Sequence, residues 1–469
     1  MRMSGLFFGA LLSVIAPTAM AAQDSAMENA AANVEAKIED IAYRGYIWGM
    51  PLVEAALIRK RFTQGQSASD VGTPINRFKH RRLLSGPEMR AGVGPNNDTI
   101  YSSAWLDLAQ GPLIVAAPDF GSRYYTFSIN LADSSSDLSF GQRTHGGQLP
   151  PLFLHGPGWH GTVPPGMVDV PVSTRYVGVA GRILVRSPAE YAEVHALQDK
   201  LAVIRWVDWQ KGRRIAAPAA EQRELAQGPD GTPPELAFYY RLGAVLRDWY
   251  VRPQDRAMIA DLQSLGITPR HGFRSEDLSP AALADLARGF VRAKEDVRAA
   301  SLRLGVEYNG WTTNYRGPRF GSDHMLRAAV AKDQIFVAVP EEAIYPIARV
   351  DSAGRRLDGA HRYRIHFSSG QLPPVDAFWS VTAYDDAGFM IPNAATRYSV
   401  GDRTDGLVMG RDGSVTIELG ATAPAAGQAV NWLPVAPDAP FYVMMRLYRP
   451  RQAVLDRTWV PPKIERIEQ

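Results

Sequence analysis

The period of the apolar positions changes three times along the chain. From Ala30 to Arg61 they recur at helical spacing, with Val34, Ile38, Ile41 and Ala42 on one stripe. Gly45, Gly49 and Pro51 then interrupt the stripe and predict a break or kink. From Gly72 to about Pro188 the period falls to two, with frequent Gly and Pro punctuation. Thr99–Leu108, Arg123–Leu131, Leu152–Leu154, Arg175–Val179 and Ile183–Val185 are predicted as short strands. There is no βαβ rhythm, so this region predicts an antiparallel sandwich. Helical spacing returns over Tyr191–Val207, Glu235–Tyr250, Asp255–Leu265 and Ala281–Leu304. Ser187-Pro188-Ala189-Glu190 and Ser279-Pro280 supply the caps for the first and last of these. After Gly310, strands are predicted at Tyr363–Phe367, Phe378–Tyr384, Val415–Leu419 and Phe441–Tyr448. Turns fall at Asp386-Ala387-Gly388 and Asp412-Gly413.

The expected architecture is multidomain and mainly β. It has an N-terminal helix plus antiparallel β-sandwich (22–188), a helical middle domain (189–308) and a C-terminal β-sandwich (309–469). Residues 1–21 form a predicted secretory leader. Arg2 supplies the positive charge, Leu6 to Ala16 is a mostly apolar run, and Ala19-Met20-Ala21 ends in a small-residue cleavage signal. That run is too short to span a hydrocarbon core, which needs about 20 helical residues. An exported protein, periplasmic or extracellular and without a membrane span after cleavage, is the expectation. Tyr124-Tyr125-Thr126-Phe127-Ser128 and Phe378-Trp379-Ser380-Val381-Thr382 echo one another faintly, which suits two sandwiches of related shape.

Composition narrows the chemistry. The 469 residues carry 51 Lys and Arg against 48 Asp and Glu, and this balance argues against a nucleic-acid partner on bulk charge. With no cysteine, there is no disulfide framework, thiolate nucleophile or Cys-based metal site. The nine histidines show no HExxH or HxH spacing, and His361 and His366 fall on opposite faces of a strand. No metal or cofactor is expected from local motifs. There is no Gly-x-Ser-x-Gly elbow and no Rossmann glycine pattern.

The densest polar motif is Pro95-Asn96-Asn97-Asp98-Thr99-Ile100-Tyr101, a turn leading into a strand. Ile100, Ser102, Ala104, Leu106 and Leu108 fall on one face and suit a core. Thr99, Tyr101, Ser103, Trp105 and Asp107 fall on the other, a palette of rings, hydroxyls and a carboxylate fit for a polyol or another polar ligand. The plainer alternative is that this second face packs on the helical domain. Asp98 and Asp107 are candidates for a general acid–base pair, which in glycoside hydrolysis needs carboxyls about 5–9.5 Å apart. Gly141-Gln142-Arg143-Thr144-His145-Gly146-Gly147 offers Arg143 for a carboxylate or phosphate and His145 as a titrating group. A structural salt bridge is the competing role for Arg143. Arg123, Trp379, Arg397, Asn431 and Trp432 complete the set of candidate ligand-binding residues, the last three equally suited to pinning loops at a sandwich edge.

Several of these motifs carry a family resemblance. Pro95 through Ser102, Leu106-Asp107-Leu108, Gly141-Gln142-Arg143-Thr144 and Gly156-Pro157-Gly158-Trp159 resemble the bacterial domain-of-unknown-function family 1254. Ala377-Phe378-Trp379-Ser380, Asn393 through Ser399, Asn431-Trp432-Leu433-Pro434 and Arg446-Leu447-Tyr448-Arg449-Pro450 resemble its usual C-terminal companion, family 1214. The Ala394-Ala395-Thr396 spacer differs from the usual pattern. The resemblance implies a β-sandwich, a helical middle and a jelly-roll-like C-terminal sandwich, and it transfers no catalytic residues. Two functions fit the sequence. One is binding or assembly in the cell envelope through the surface around Tyr101, with a small polar ligand, a glycan or a second copy of the chain as partner. The other is hydrolysis of a glycan-like substrate by Asp98 and Asp107. Both require that the motifs not be wholly buried and satisfied in the core.

Overall fold

A computed structural model describes residues 17–65, 71–90, 94–424 and 429–467, with side chains from Lys37 onward. Residues 1–16 of the predicted leader lie outside the described residues. The first element is helix α1 (Pro17–Gln64), which runs through Pro51 without the expected break. Its glycines serve contact: a Cβ on Gly45 would stand 2.8 Å from Leu262, and one on Gly49 would stand 2.8 Å from Leu242. Just ahead of Pro51, the buried Arg327 donates to the Trp48 carbonyl at 2.8 Å. Close helix packing therefore holds this helix continuous where propensity alone would kink it.

The N-terminal β-module follows. Its elements are β1 (Phe78–His80), β2 (Thr99–Asp107), β3 (Leu113–Ala116), β4 (Tyr125–Leu131), β5 (Leu138–Gly141), the one-turn α2 (Gln142–His145), β6 (Leu152–His155) and β7 (Val168–Pro171). It ends with β8 (Tyr176–Leu184), α3 (Tyr191–Gln198), β9 (Ala202–Arg205) and α4 (Trp206–Trp209). Two sheets, β1-β2-β8-β4-β5 and β7-β6-β3-β9, face each other across Ile100, Leu106, Val115, Phe127, Leu154 and Val177. Among the described strands of this module, β6–β7 is the one parallel pair.

Two expectations change here. Arg175–Val179 and Ile183–Val185 are one strand, β8, because continuous pairing to β2 and β4 carries it through Gly181, where the ring of Phe127 leaves no room for a Cβ. Ala202–Arg205, expected in a helix, pairs with β3 because its alternating Val203 fills the core. The sandwich therefore extends past residue 188.

The helical module consists of α5 (Pro234–Leu246), α6 (Arg256–Ser264), the hairpin β10 (Ile267–Thr268) and β11 (Gly272–Phe273), and α7 (Pro280–Ser301). Ser279 caps α7 through its hydroxyl, as its sequence position predicts. Helix α1 packs on α5, α6 and α7, so it belongs to this module rather than to the sandwich that follows it in sequence.

The C-terminal module holds β12 (Val306–Tyr308), β13 (Trp311–Thr313), α8 (His324–Asp333), β14 (Ala343–Ile344), β15 (Ile347–Ala348), β16 (Arg362–Phe367) and β17 (Val375–Asp385). It continues with β18 (Ser399–Gly401), β19 (Val415–Gly420), β20 (Trp432–Pro434), β21 (Phe441–Pro450), α9 (Gln452–Leu455) and β22 (Ile464–Ile467). The sheet β12-β13-β15-β21-β17-β18, with β14 also on β21, packs on β20-β19-β16-β22 around Ile365, Trp379, Val381, Ile417 and Met445. Helix α8 leaves this sandwich and joins the helical module against α1 and α7.

One buried carboxylate ties the modules at α8. Asp133, just after β4, takes Arg327 and Arg252 at 2.9 Å each. Asp133→Asn takes the paired carboxylate from Arg327 and leaves Arg252 with Asp255 at 2.7 Å, and a broken buried pair costs about 3–5 kcal/mol. The expected result is a lower urea midpoint with unchanged far-ultraviolet circular dichroism in the absence of urea. A loss below about 1 kcal/mol would show that the arginines do not depend on this carboxylate.

Candidate functional site

The Asn96–Thr99 turn is a stitch between the two β-modules. Asp98 is fully buried, accepts the Ser380 hydroxyl at 2.8 Å and pairs with Arg403, both from the C-terminal module. Asn96 donates to Thr99 at 2.7 Å and to the Tyr448 hydroxyl at 2.8 Å. Asn97 donates to the Ser85 carbonyl. At the far end of β2, Asp107 is buried and held by Arg175, which forks onto both carboxylate oxygens at 2.8 Å each. Asp98 precedes and Asp107 ends the nine-residue strand, so the two are separated by about 30 Å at 3.3 Å per residue. The fold does not bring them together as an acid–base pair, because an extended strand is the longest path between its ends.

Most other candidates hold the fold. Arg123 pairs with Glu190 at 2.6 Å and Glu193 at 2.9 Å. Arg143 pairs at 2.9 Å with Glu342, a buried carboxylate that also accepts Tyr124 at 2.7 Å. His145 is half-buried and bonds only to its neighbour Thr144, and burial lowers its pKa. Trp379 lies in the C-terminal core, 5.2 Å from Phe367. Arg397 donates to the carbonyls of Ala429 and Trp432, Asn431 bonds both backbone groups of Val408, and the Trp432 indole donates to Gly420. These three pin loops, the structural alternative read from the sequence. Trp105 is buried between Phe336 and the guanidinium of Arg59. Tyr101, like Pro95 and Asn97 of the turn, keeps part of its surface accessible, although it lies in the middle of the sheet.

Strand register shows what surrounds Tyr101. Side chains on its face fall in rows across β2, β8 and β4: Thr99 with Leu184, Tyr101 with Arg182 and Thr126, Ser103 with Ala180 and Ser128, Trp105 with Gly178 and Asn130. The outer rows are buried, whereas Tyr101, Ser103 and Ala180 are only half-buried although β2 and β8 are interior strands. The side chains there are short, apart from Lys79 of β1 opposite Ser103, and some accessible space remains over them.

Arg182 stands at one end of that space. Its Nε donates to the Tyr101 hydroxyl at 3.3 Å and its guanidinium lies 5.5 Å from the Tyr101 ring. Its Nη1 is buried and has no hydrogen-bond partner, and the Ser128 hydroxyl on the next row also has none. The C-terminal module contributes Tyr345, Tyr448 and Arg446 to the same surroundings. A narrow crevice lined by Asn314, Gly317, Gln334 and Ala338 borders Tyr345. The connecting segment carries Phe336 at φ +63°, a left-handed conformation strained for an aromatic residue.

The electrostatics separate the phenols. Burial alone raises Tyr101, but the charge and hydrogen bond of Arg182, with Arg446 and Asn96, bring it below the ordinary tyrosine value. Burial and Asp98 raise Tyr448 well above that value. Burial also raises Tyr345, with Arg182 opposing. Of these three phenols, only Tyr101 is shifted toward ionisation, because two cations outweigh its desolvation.

Sequence reasoning reached Tyr101 and missed Arg182 and Tyr345. A signal for Arg182 existed: it is the sole charged residue within Tyr-Val-Gly-Val-Ala-Gly-Arg-Ile-Leu, an otherwise uncharged strand. Splitting that strand at residue 180 hid the contrast.

Two β-sandwiches joined to a helical module, with a polar junction between them, define the class. Residues 75–205 match the family described as Protein of unknown function (DUF1254), and residues 342–452 match Protein of unknown function (DUF1214). The two family matches fall on the N-terminal and C-terminal β-modules, so the resemblance carried by their motifs holds. The crystal structure of the VPA0106 protein from Vibrio parahaemolyticus is similar, with 25% identity, a TM-score of 0.67, and coverage of 92% of this chain and 100% of that one. An uncharacterised protein from Burkholderia cenocepacia has 15% identity over 91% of this chain and 88% of its own, with a TM-score of 0.45. No curated protein matches the chain.

The ordering of the phenols is testable by absorbance at 295 nm during alkaline titration. The earliest ionising tyrosine is expected below pH 10 and is expected to vanish in Tyr101→Phe. Survival of that earliest phase in the variant would overturn the pairing with Arg182.

Proposed function

We propose that the protein binds a small organic anion at the junction of its two β-modules, with Arg182 and Tyr101 as the groups that take the charged end. The observation that carries this reading is the buried, unpartnered Nη1 of Arg182, which points to a group from outside the chain. A desolvated guanidinium without an acceptor is costly, and a carboxylate would offset that cost through charge-assisted hydrogen bonds. The short side chains of Ser103 and Ala180, half-buried beside Arg182, leave room for the body of the ligand, and the free hydroxyl of Ser128 adds a polar contact. The hydrolase reading has no carboxylate pair to support it. An exported protein of this kind, with its leader removed near Ala21, would meet such anions in the cell envelope; amino-terminal sequencing of the exported chain tests that location.

The test of the ligand is a thermal-shift panel of mono- and dicarboxylates against neutral glycans. A carboxylate at a hundredfold excess over its Kd is expected to add about 2.7 kcal/mol of apparent stability. Arg182→Met is expected to abolish that gain and Tyr101→Phe to reduce it. Equal stabilisation of wild type and both variants, or stabilisation by glycans alone, would overturn the reading.

A further inference from the structure

On the far side of Trp105 the same sheet face meets the helical module around a second arginine. Arg59, on α1, is 6% exposed, and its guanidinium carbon lies 3.6 Å from the centroid of the Tyr176 ring and 6.0 Å from that of Trp105. Its hydrogen-bond partner is the Gln222 side-chain oxygen at 3.2 Å. The neighbouring carboxylates are committed elsewhere: Arg175 holds Asp107 at 2.8 Å and Asp248 at 2.6 Å, and Arg223 adds a contact to Asp248 at 3.7 Å. Tyr176 is 3% exposed, and its buried hydroxyl has no partner. Both residues line a cavity of about 20 Å³ closed by Leu52, Ala56 and Trp249, with Arg223 and Glu224 exposed at its rim.

We propose that this cavity is a binding site for a small inorganic anion of halide size, held by the Arg59 guanidinium and the Tyr176 hydroxyl. Size sets the class: about 20 Å³ admits one or two water-sized spheres and excludes the body of an organic acid. Charge sets the sign. Inside the rim, Arg59 and Arg175 face Asp107 and Asp248, but both carboxylates bond to Arg175, so Arg59 has no anion in contact. Water would satisfy the Tyr176 hydroxyl and give Arg59 a second neutral partner beside Gln222, whereas an anion gives both donors a charged acceptor. Burial lowers the pKa of Arg59, with Tyr176, Asp248 and Asp107 opposing, which agrees with a desolvated cation short of a counterion. The site is separate from the one proposed at Arg182, because the buried Trp105 row and the Ser103 row lie between them.

The test needs no variant to begin. Crystals of the wild-type protein soaked in sodium bromide are expected to show an anomalous peak within hydrogen-bond reach of both Arg59 and Tyr176. In solution, the melting temperature is expected to rise with sodium bromide relative to sodium gluconate at equal ionic strength, gluconate being too large to enter. Tyr176→Phe removes only the unpartnered hydroxyl and is expected to weaken the bromide midpoint at least tenfold. Arg59→Met is expected to abolish the bromide response, while Arg182→Met leaves it unchanged. A water in the bromide-soaked cavity, or a bromide response that survives in both Tyr176→Phe and Arg59→Met, would overturn the proposal.

Discussion

Asp98 belongs to the N-terminal module, yet Ser380 and Arg403, which hold its carboxylate, both belong to the C-terminal one. A buried carboxylate can remain charged only where donors are fixed in place, so this contact sets where the second sandwich sits on the first. The rest of the junction follows the same rule. The buried Arg446 donates to the carbonyls of Gly94 at 2.8 Å and Pro95 at 3.3 Å, and Tyr384 donates to the Pro95 carbonyl at 2.7 Å. Glu342 reaches the other way, to Tyr124 and Arg143. Polar groups cross the boundary in both directions, and each needs its partner across it. Sliding one sheet over the other would strand several at once, which an oily interface would tolerate far better.

That constraint also explains why polar space remains at the centre of the junction. Tyr124 packs edge-on against Phe378 at 5.2 Å, and these two residues begin the segments that echo each other in the sequence. The aromatic contact and the surrounding stitches hold the sheets apart over Ser103 and Ala180, whose side chains are too short to fill the gap. Arg182 can then keep a free hydrogen-bonding face while being shielded from bulk water.

The legible parts of the fold were those where one physical preference acts alone. Strands β16 and β19 alternate because one face is in the core and the other is not, and β17 and β21 are apolar runs buried along nearly their whole length. Helix α7 announces itself through its cap and stripe. Where long-range packing decides, the sequence misleads. Pro51 does not break α1, since α5, α6 and Arg327 hold the turns leading into the proline, and Val203 and Ile204 become strand because β3 is waiting for them. The candidate site was legible only through Tyr101. Asp98 and Asp107 looked like chemistry because polar clusters at a module junction have the same composition as polar clusters in an active site. Their partners, Arg403 and Arg175, lie 305 and 68 residues away and are invisible to local spacing.

Helix α1 has a bearing on how the chain assembles. The Ala42 carbonyl accepts from Tyr239, 197 residues later, and that of Trp48 accepts from Arg327, 279 residues later. The apolar stripe of the first helix therefore has no mate until most of the chain exists, while an entire sandwich can close in between. The N-terminal module is topologically an insertion that folds inside a helical clasp left open. Assembly must end with distant segments closing over an early one, a slow step of high contact order during which the stripe stays exposed to aggregation.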